Sequence, residues 1–284
     1  MSKIYLFADD TNLFCSGYDI IKLSEVVTKE LNKLKDWFAV NKLSLNVNKT
    51  NYMIFSNKNC VLDVKIQISN IEITRVKVTK FLGVLIDEKL SWNEHIALVK
   101  SKISKSIFLL NRAKQVLNNR ALHTLYNSIV LPYLSYCCEI WGNTYKSRLN
   151  SIVLLQKRAM RIVHGVHYRD HTNRLFYESR SLKFSNIVSL NVAIVMFKAH
   201  NVMLPQNLQA LFTKKIKADD RPTTRLLDWF ERPRCRASLK SMCISVKGVK
   251  FWNSLDKEII DDHRTVHNFK KYIKNVYLLS YDKG

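Results

Sequence analysis

The segment 4–16, IYLFADDTNLFCS, constrains the fold more than any other part of the chain. Two apolar runs, 4–7 and 13–15, flank a polar stretch, DDTN, that begins with Asp9 and Asp10. Aromatic, aliphatic and β-branched residues favour strands, whereas aspartate, threonine and asparagine in a row favour a turn. The pattern therefore predicts a β-hairpin with its turn over the polar stretch and both carboxylates at its tip.

Two neighbouring carboxylates at such a tip repel each other unless they share a cation. Oxygen ligands suit Mg²⁺, which takes one or two protein carboxylates and completes its shell with phosphate and water. Asp9 and Asp10 are therefore candidates for half of a two-metal phosphoryl-transfer site. The alternative is a solvated Asp-Asp turn between two strands, which is the commoner role of a bare pair of this kind.

Further segments follow this motif in a fixed order. After FADD come LSLNVNKTNYMIFS at 43–56 and FLGVLID at 81–87, then LYNSIVLPYLSYCCEIWG at 125–142 and KGVKFWNSL at 247–255. Together they resemble reverse transcriptases of retrotransposons without long terminal repeats, the jockey-like elements. FADD resembles the aromatic-x-Asp-Asp box of that family. The next two segments resemble its following palm motif and its primer grip, and the last two resemble its C-terminal part.

The resemblance implies an α+β fold with three regions. A partial palm, an antiparallel sheet plus a helix, is expected over 1–88, a helical thumb over 89–170, and a helical, basic C-terminal region over 171–284. In the family, the fingers and the palm motif with another metal-binding aspartate come before this point, and neither can be found in this sequence. The first strand would then expose an open sheet edge, which favours aggregation. We therefore expect a fragment or a decayed copy that is inactive alone.

The activity that the resemblance implies is RNA-templated DNA synthesis. The primer 3′-hydroxyl attacks the α-phosphate of a deoxynucleotide with the help of two Mg²⁺ ions. By this resemblance Asp9 holds both ions and Asp10 is a more peripheral ligand. Lys49 falls where the family places a lysine suspected of protonating the pyrophosphate leaving group. A solvated lysine at a turn explains Lys49 equally well.

The primer grip of the family corresponds here to Phe81, Leu82 and Gly83. The apolar pattern predicts one strand over 81–86. Gly83 inside that strand would allow the primer backbone to approach closely, although an ordinary strand glycine is an even alternative.

The charge of the chain predicts a polyanionic partner. Lysine and arginine number 46 against 23 aspartates and glutamates, which gives a net charge of +23. Nucleic acid is the first candidate for such a partner. The resemblance specifies it as an RNA template, a DNA primer and their RNA–DNA duplex, with deoxynucleotides as substrates of the complete enzyme. A hydrophobic content of 47% argues against a disordered basic tail.

Periodic apolar positions predict the remaining elements. Helices are expected over 22–40, 94–117, 120–131, 148–164, 186–200 and 266–279, a strand over 52–55, and a hairpin over 64–73. Two of these helices carry a basic outer face that is either merely solvated or tracks a phosphate backbone. We expect the second role for Lys102, Lys105, Arg112, Arg158 and Arg161.

Other classes of protein fit poorly. The apolar start is too short for a signal peptide, and the stretches 129–141 and 187–197 are too short and too polar to span a membrane, so no membrane partner is expected. The six cysteines form no disulfide framework, which indicates a reducing compartment, cytoplasm or nucleus. Neither the histidines between 164 and 171 nor the set of Cys235, Cys243, His263 and His267 has zinc spacing, so no zinc is expected.

Overall fold

The structure, a computed structural model, describes residues 2–56, 64–215, 230–255, 259–260 and 264–282. The chain divides into two compact units, with the boundary between Ser91 and Trp92. The first unit mixes strands with one long helix, and the second unit is mainly helical. A mixed α and β architecture is therefore confirmed, and each unit is described by itself.

The predicted N-terminal hairpin is present. Strand β1 (Ser2–Phe7) pairs antiparallel with β2 (Asp10–Cys15), and Phe7 lies opposite Asp10. The turn is shorter than predicted, because it consists of Ala8 and Asp9, with Ala8 at φ 50°. The other three polar residues of the DDTN stretch are part of β2. Pairing with β1 outweighs the turn preference of these three residues. The pairing is supported by an edge-to-face contact between Tyr5 and Phe14, whose ring centres are 5.5 Å apart.

Helix α1 (Ile20–Val40) begins two residues before its predicted start because Asp19 caps it. The Asp19 carboxylate accepts hydrogen bonds from the backbone N–H groups of Ile21 and Lys22, at 2.9 and 3.3 Å. A short 3₁₀ helix, Val47–Lys49, follows and is capped by Asn46.

A small core lies between α1 and the second hairpin. Strands β4 (Gln67–Ile68) and β5 (Ile71–Glu72) pair around two left-handed turn residues, Ser69 and Asn70, which confirms the hairpin predicted there. Four apolar side chains of this hairpin and its flanks are buried: Val64, Ile66, Ile68 and Ile73. Three partly buried side chains of α1 pack against them: Ile20, Val27 and Leu31.

Two strand predictions are corrected. The strand predicted over 52–55 is shorter, because β3 (Asn51–Tyr52) pairs in parallel with β6 (Thr74–Arg75) over two residues. The single strand predicted over 81–86 is wrong: β7 (Val78–Phe81) and β8 (Val84–Asp87) form a hairpin instead. Leu82 and Gly83, at φ 45° and 84°, reverse the chain between them.

The second unit is built from helices. These are α2 (Asn93–Ala113), α3 (Asn119–Ile129), α4 (Leu131–Ser135), α5 (Cys138–Trp141), α6 (Lys146–His164), α7 (Asn173–Glu178), α8 (Phe184–His200), α9 (Gln206–Gln209), α10 (Ser238–Ser241), α11 (Ile244–Trp252) and α12 (Val266–Asp282). Among the described residues, no helix is both long and apolar enough to cross a lipid bilayer.

The predicted long helices are present with changed ends. Helix α2 stops at Ala113 rather than at 117. Pro132 does not end the preceding helix, since α3 already ends at Ile129 and Pro132 lies in the first turn of α4, where its missing N–H costs nothing. Val276 of α12 is 44% exposed, because the buried side of that helix runs from Phe269 and Ile273 through Leu278 and Tyr281.

One core unites this unit. Its largest fully buried side chains include Trp141, Trp252, Tyr126, Phe176 and Phe197. Helix α8 buries apolar residues on several sides, as its apolar sequence predicts. Helices from both predicted regions, 89–170 and 171–284, contribute to the same core.

The core also contains a histidine that couples stability to pH. His95 is 4% exposed and its ring lies 5.2 Å from that of Trp141, and burial lowers its pKa below 6.5. The unfolded chain then binds a proton at His95 more readily than the folded chain does. The contribution of His95 to the free energy of unfolding is therefore full above the pKa of this residue in the unfolded state. It falls as the pH drops below that value, by at most about 1.4 kcal/mol per pH unit for one proton.

We therefore expect the urea midpoint to fall between about pH 7 and pH 5, and His95→Gln to make that fall less steep. Exposed His267→Gln is the control and should leave the slope unchanged. Equal slopes in all three proteins would show that His95 is not coupled to folding.

Candidate functional site

The tip of the first hairpin exposes both candidate metal ligands. Asp9 is the second turn residue and Asp10 begins β2. In the described part of the chain, no side-chain hydrogen bond or ion pair engages either carboxylate. The neighbouring side chains of Leu6 and Phe7 are 63% and 62% exposed. Both carboxylates are therefore free to bind a ligand beside an apolar surface.

The donor set fits part of a magnesium shell. Mg²⁺ is held by one or two carboxylates, with phosphate and water completing an octahedron. Asp9 and Asp10 supply that minimum. Within residues 2–56, 64–215 and the other described ranges, no three His, Cys, Asp or Glu side chains converge on a metal position. The remaining ligands would have to come from a bound phosphate, water or another segment.

Lys49 lies at the end of the 3₁₀ helix and is exposed. Its backbone N–H donates to the Asn46 side chain at 3.2 Å, so the turn itself is fixed. No contact that the structure describes joins its ammonium group to Asp9 or Asp10. The role of Lys49 thus stays a prediction.

The FLG sequence forms the tip of the β7–β8 hairpin. Phe81 and Leu82 are half-buried, and Gly83 is exposed in the turn. Gly83 thus has a left-handed backbone conformation in a turn. Both interpretations from the sequence, close approach of a primer and an ordinary strand glycine, had placed this residue inside a strand. Asp87 fixes the far end of the hairpin, because its carboxylate accepts from the N–H groups of Lys89 and Ser91 at 3.1 and 2.9 Å.

The outer face of α2 combines positive charge with exposed apolar side chains. Lys102, Lys105 and Arg112 are all exposed, as predicted. Sequence reasoning missed Phe108 and Leu109, which are 60% and 54% exposed on the same helix. The Arg112 guanidinium lies 5.5 Å from the centre of the Phe108 ring. The signal was available, since 108 and 109 fall outside the buried positions 103, 107 and 110.

The two arginines of α6 differ in their surroundings. Arg158 is exposed and free to contact a polyanion. Arg161 is half-buried, and its Nε donates to the backbone carbonyl of Asp170 at 2.9 Å. The predicted outward role of Arg161 is therefore qualified, because this side chain fastens the loop after Gly165.

Comparison with curated proteins identifies what the chain is similar to. It is 26% identical over 169 residues to a probable RNA-directed DNA polymerase from transposon X-element of Drosophila melanogaster. It is 26% identical over 168 residues to the RNA-directed DNA polymerase from mobile element jockey of Drosophila funebris. The similarity to retrotransposon polymerases is thus confirmed. A third relative, a probable RNA-directed DNA polymerase from transposon BS of Drosophila melanogaster, is 28% identical over 162 residues.

The similarity to these retrotransposon polymerases is partial. It covers 58%, 57% and 55% of this chain, respectively, and 18% of each polymerase. The chain thus matches less than a fifth of the length of those relatives. No family model matches the chain. No solved structure matches it either.

The cysteines outside these surfaces differ in their burial. Cys138 is fully buried, and this burial, followed by the charge of Glu139, raises the pKa of its thiol to about 12. Cys137 is half-buried, and the same two causes raise its pKa. Cys60 and His263 lie outside the described residues.

Proposed function

We propose that this chain carries the Asp-Asp segment of the palm and a nucleic-acid-binding helical region of a retrotransposon RNA-directed DNA polymerase. The observation that carries the proposal is the FADD hairpin, with two exposed carboxylates that have no described partner at its tip. The similarity to polymerases of the jockey, X-element and BS type supports it. The excess of positive charge, +23, suits a polyanionic template and primer.

In the complete enzyme, Asp9 and Asp10 would hold Mg²⁺, which supplies charge neutralisation at the reacting phosphate when bound. The reaction joins the primer 3′-oxygen to the α-phosphorus of a deoxynucleotide and breaks the bond to pyrophosphate. The hairpin tip Phe81–Gly83 would position the primer end. Lys49 would donate a proton or a charge-assisted hydrogen bond to the departing pyrophosphate.

The outer faces of α2 and α6 would hold the duplex through its phosphates. Lys102, Lys105, Arg112 and Arg158 provide exposed cations on these helices. Contacts to phosphate fix the position of a duplex but carry no sequence information. We therefore expect binding that depends on charge rather than on base sequence, with Phe108 available for stacking on an unpaired base.

A second candidate function is nucleic-acid binding without catalysis. In the residues that the structure describes, no third metal-binding side chain joins Asp9 and Asp10. Loss of one essential stabilising group typically costs about 10²-fold or more in rate. A chain with this incomplete set would still bind duplex through its basic helices.

The chain itself provides the first test. We expect it to bind an RNA–DNA primer-template but to give no detectable primer extension with Mg²⁺ and deoxynucleotides. Strong extension that Asp9→Asn abolishes, and that Asp36→Asn of the exposed α1 surface leaves intact, would refute the view that the set is incomplete. Failure to bind the duplex would contradict both candidate functions.

A further inference from the structure

The segment that leads into α10 carries an arginine at every second position. Arg232, Arg234 and Arg236 are all exposed, whereas Pro233 and Cys235 between them are half-buried. This alternation is typical of an extended chain, in which every second side chain lies on the same side. Proline also favours an extended backbone at the residue before it. The segment thus presents three arginines, the arginine row, on its outer side.

The segment is held in place at both ends. Phe230 is fully buried, and its backbone N–H donates to Asn253 Oδ1 at 3.2 Å while its carbonyl accepts from Asn253 Nδ2 at 2.8 Å. The N–H of Glu231 donates to the Thr213 carbonyl at 2.9 Å. At the other end, Ala237 enters α10 with an extended backbone, φ −102° and ψ 137°. The arginine row is therefore positioned before any partner binds.

Little negative charge opposes the arginine row. Residues 231–250 contain six lysines and arginines but one acid, Glu231. Within the ranges that the structure describes, no ion pair joins this carboxylate to Arg234 or Arg236. Lys240 of α10 is a further exposed cation. The outer side of the segment is thus complementary to a negatively charged partner.

The geometry of the arginine row fits a chain of phosphates better than a single phosphate. One phosphate needs guanidinium groups that converge on it, but the Cα atoms of Arg232 and Arg236 are up to about 14 Å apart in an extended chain. Arginines along a line can each bind a successive phosphate through paired hydrogen bonds. A partner that encloses an extended peptide would also need the inner side, where Pro233 and Cys235 are half-buried. A polyanion needs only the outer side.

We propose that the arginine row binds the phosphate backbone of a nucleic-acid strand, in addition to the contacts proposed for α2 and α6. This inference deepens the proposed nucleic-acid binding and rests on it, but it uses no residue of those two helices. Because phosphate contacts carry no sequence information, the row would hold a strand in position without selecting its sequence.

The test compares two double variants of the full chain by fluorescence anisotropy of a labelled single-stranded RNA. Arg234→Gln with Arg236→Gln shortens the row, and Arg120→Gln with Arg169→Gln removes the same charge from two other exposed positions. Because all four side chains are exposed, both variants should fold. We expect the row variant to bind RNA about 10-fold or more weakly than the parent chain, the typical effect of losing a charged hydrogen bond.

The salt dependence should change in the same variant. The slope of the logarithm of the affinity against the logarithm of the salt concentration should fall by about 0.7 for each lost phosphate contact to a single strand. The control variant should retain the affinity and slope of the parent chain. An equal effect in the control variant would show that total charge acts rather than the row, and would overturn the proposal.

Unchanged RNA binding by the row variant would also overturn the proposal. If changing Lys102, Lys105 and Arg112 to glutamine still weakens duplex binding in that case, the polymerase proposal stands and only this one fails. Weaker binding of RNA alone would assign the row to an unpaired strand, and weaker binding of an RNA–DNA duplex as well would assign it to the backbone of both forms. Loss of binding to phosphatidylserine vesicles, with RNA binding unchanged, would assign the row to a membrane surface instead.

Discussion

The affinity of this chain for an RNA–DNA duplex is expected to fall by about 10³-fold or more between about 50 and 200 mM salt. Such a loss is typical when six to ten phosphates are neutralised, because each neutralised phosphate releases condensed counterions. A chain with a net charge of +23 and exposed cations on α2 and α6 has enough charge to neutralise that many phosphates. Fluorescence anisotropy of a labelled duplex over a salt series gives the slope of the logarithm of the affinity against the logarithm of the salt concentration.

Removal of the α2 cations should change that slope. The combined change of Lys102, Lys105 and Arg112 to glutamine is expected to reduce it by about 0.9 for each phosphate that is no longer neutralised, or about 2.7 if all three side chains bind phosphates. A control variant with three exposed lysines of the first unit, Lys22, Lys29 and Lys42, changed to glutamine carries the same loss of charge. Equal effects of the two triple variants would mean that net charge, rather than the α2 face, determines binding.

Gln156→Leu is expected to lower the free energy of unfolding by about 3 kcal/mol or more. Gln156 is 1% exposed, and its amide donates to Tyr126 Oη at 3.0 Å and to the Leu182 carbonyl at 2.9 Å. Its carbonyl accepts from the Phe184 N–H at 2.7 Å. Leucine would leave these buried groups unpaired, and each unpaired group costs about 1–3 kcal/mol.

Urea denaturation of the variant and the parent chain measures this loss. Gln115→Leu is the matched control, because Gln115 is exposed and the same change there should stay within about 0.5 kcal/mol. A loss below about 1 kcal/mol for Gln156→Leu would show that the network contributes little. The same network fixes Leu182 and Phe184, so the variant should also loosen the segment between α7 and α8.

The elements predicted best are those with a clear periodicity. The long amphipathic helices and the hairpin around Ser69 and Asn70 follow directly from apolar spacing and turn chemistry. The sequence FLGVLID was misjudged because an apolar run hides a turn when its middle residues are Leu82 and Gly83. The end predicted at 131 for the helix over 120–131 was also misjudged, since α3 ends at Ile129 and the following Pro132 lies in the first turn of α4, where proline is tolerated.

The candidate sites differ in how far sequence could predict them. Asp9 and Asp10 are adjacent, so a motif was enough to single them out. The basic face of α2 follows from helical spacing, but the availability of Arg161 depends on a hydrogen bond to Asp170 that spacing does not reveal.

The most direct test of the polymerase proposal uses the transcript that encodes this chain. Sequencing upstream of Met1 gives the whole product. A product that joins this chain to a palm motif with a further metal-binding aspartate should extend a DNA primer on an RNA template with Mg²⁺, and Asp9→Asn, but not Asp36→Asn, should reduce that activity by about 10²-fold or more. Extension that Asp9→Asn leaves unchanged would contradict the proposal.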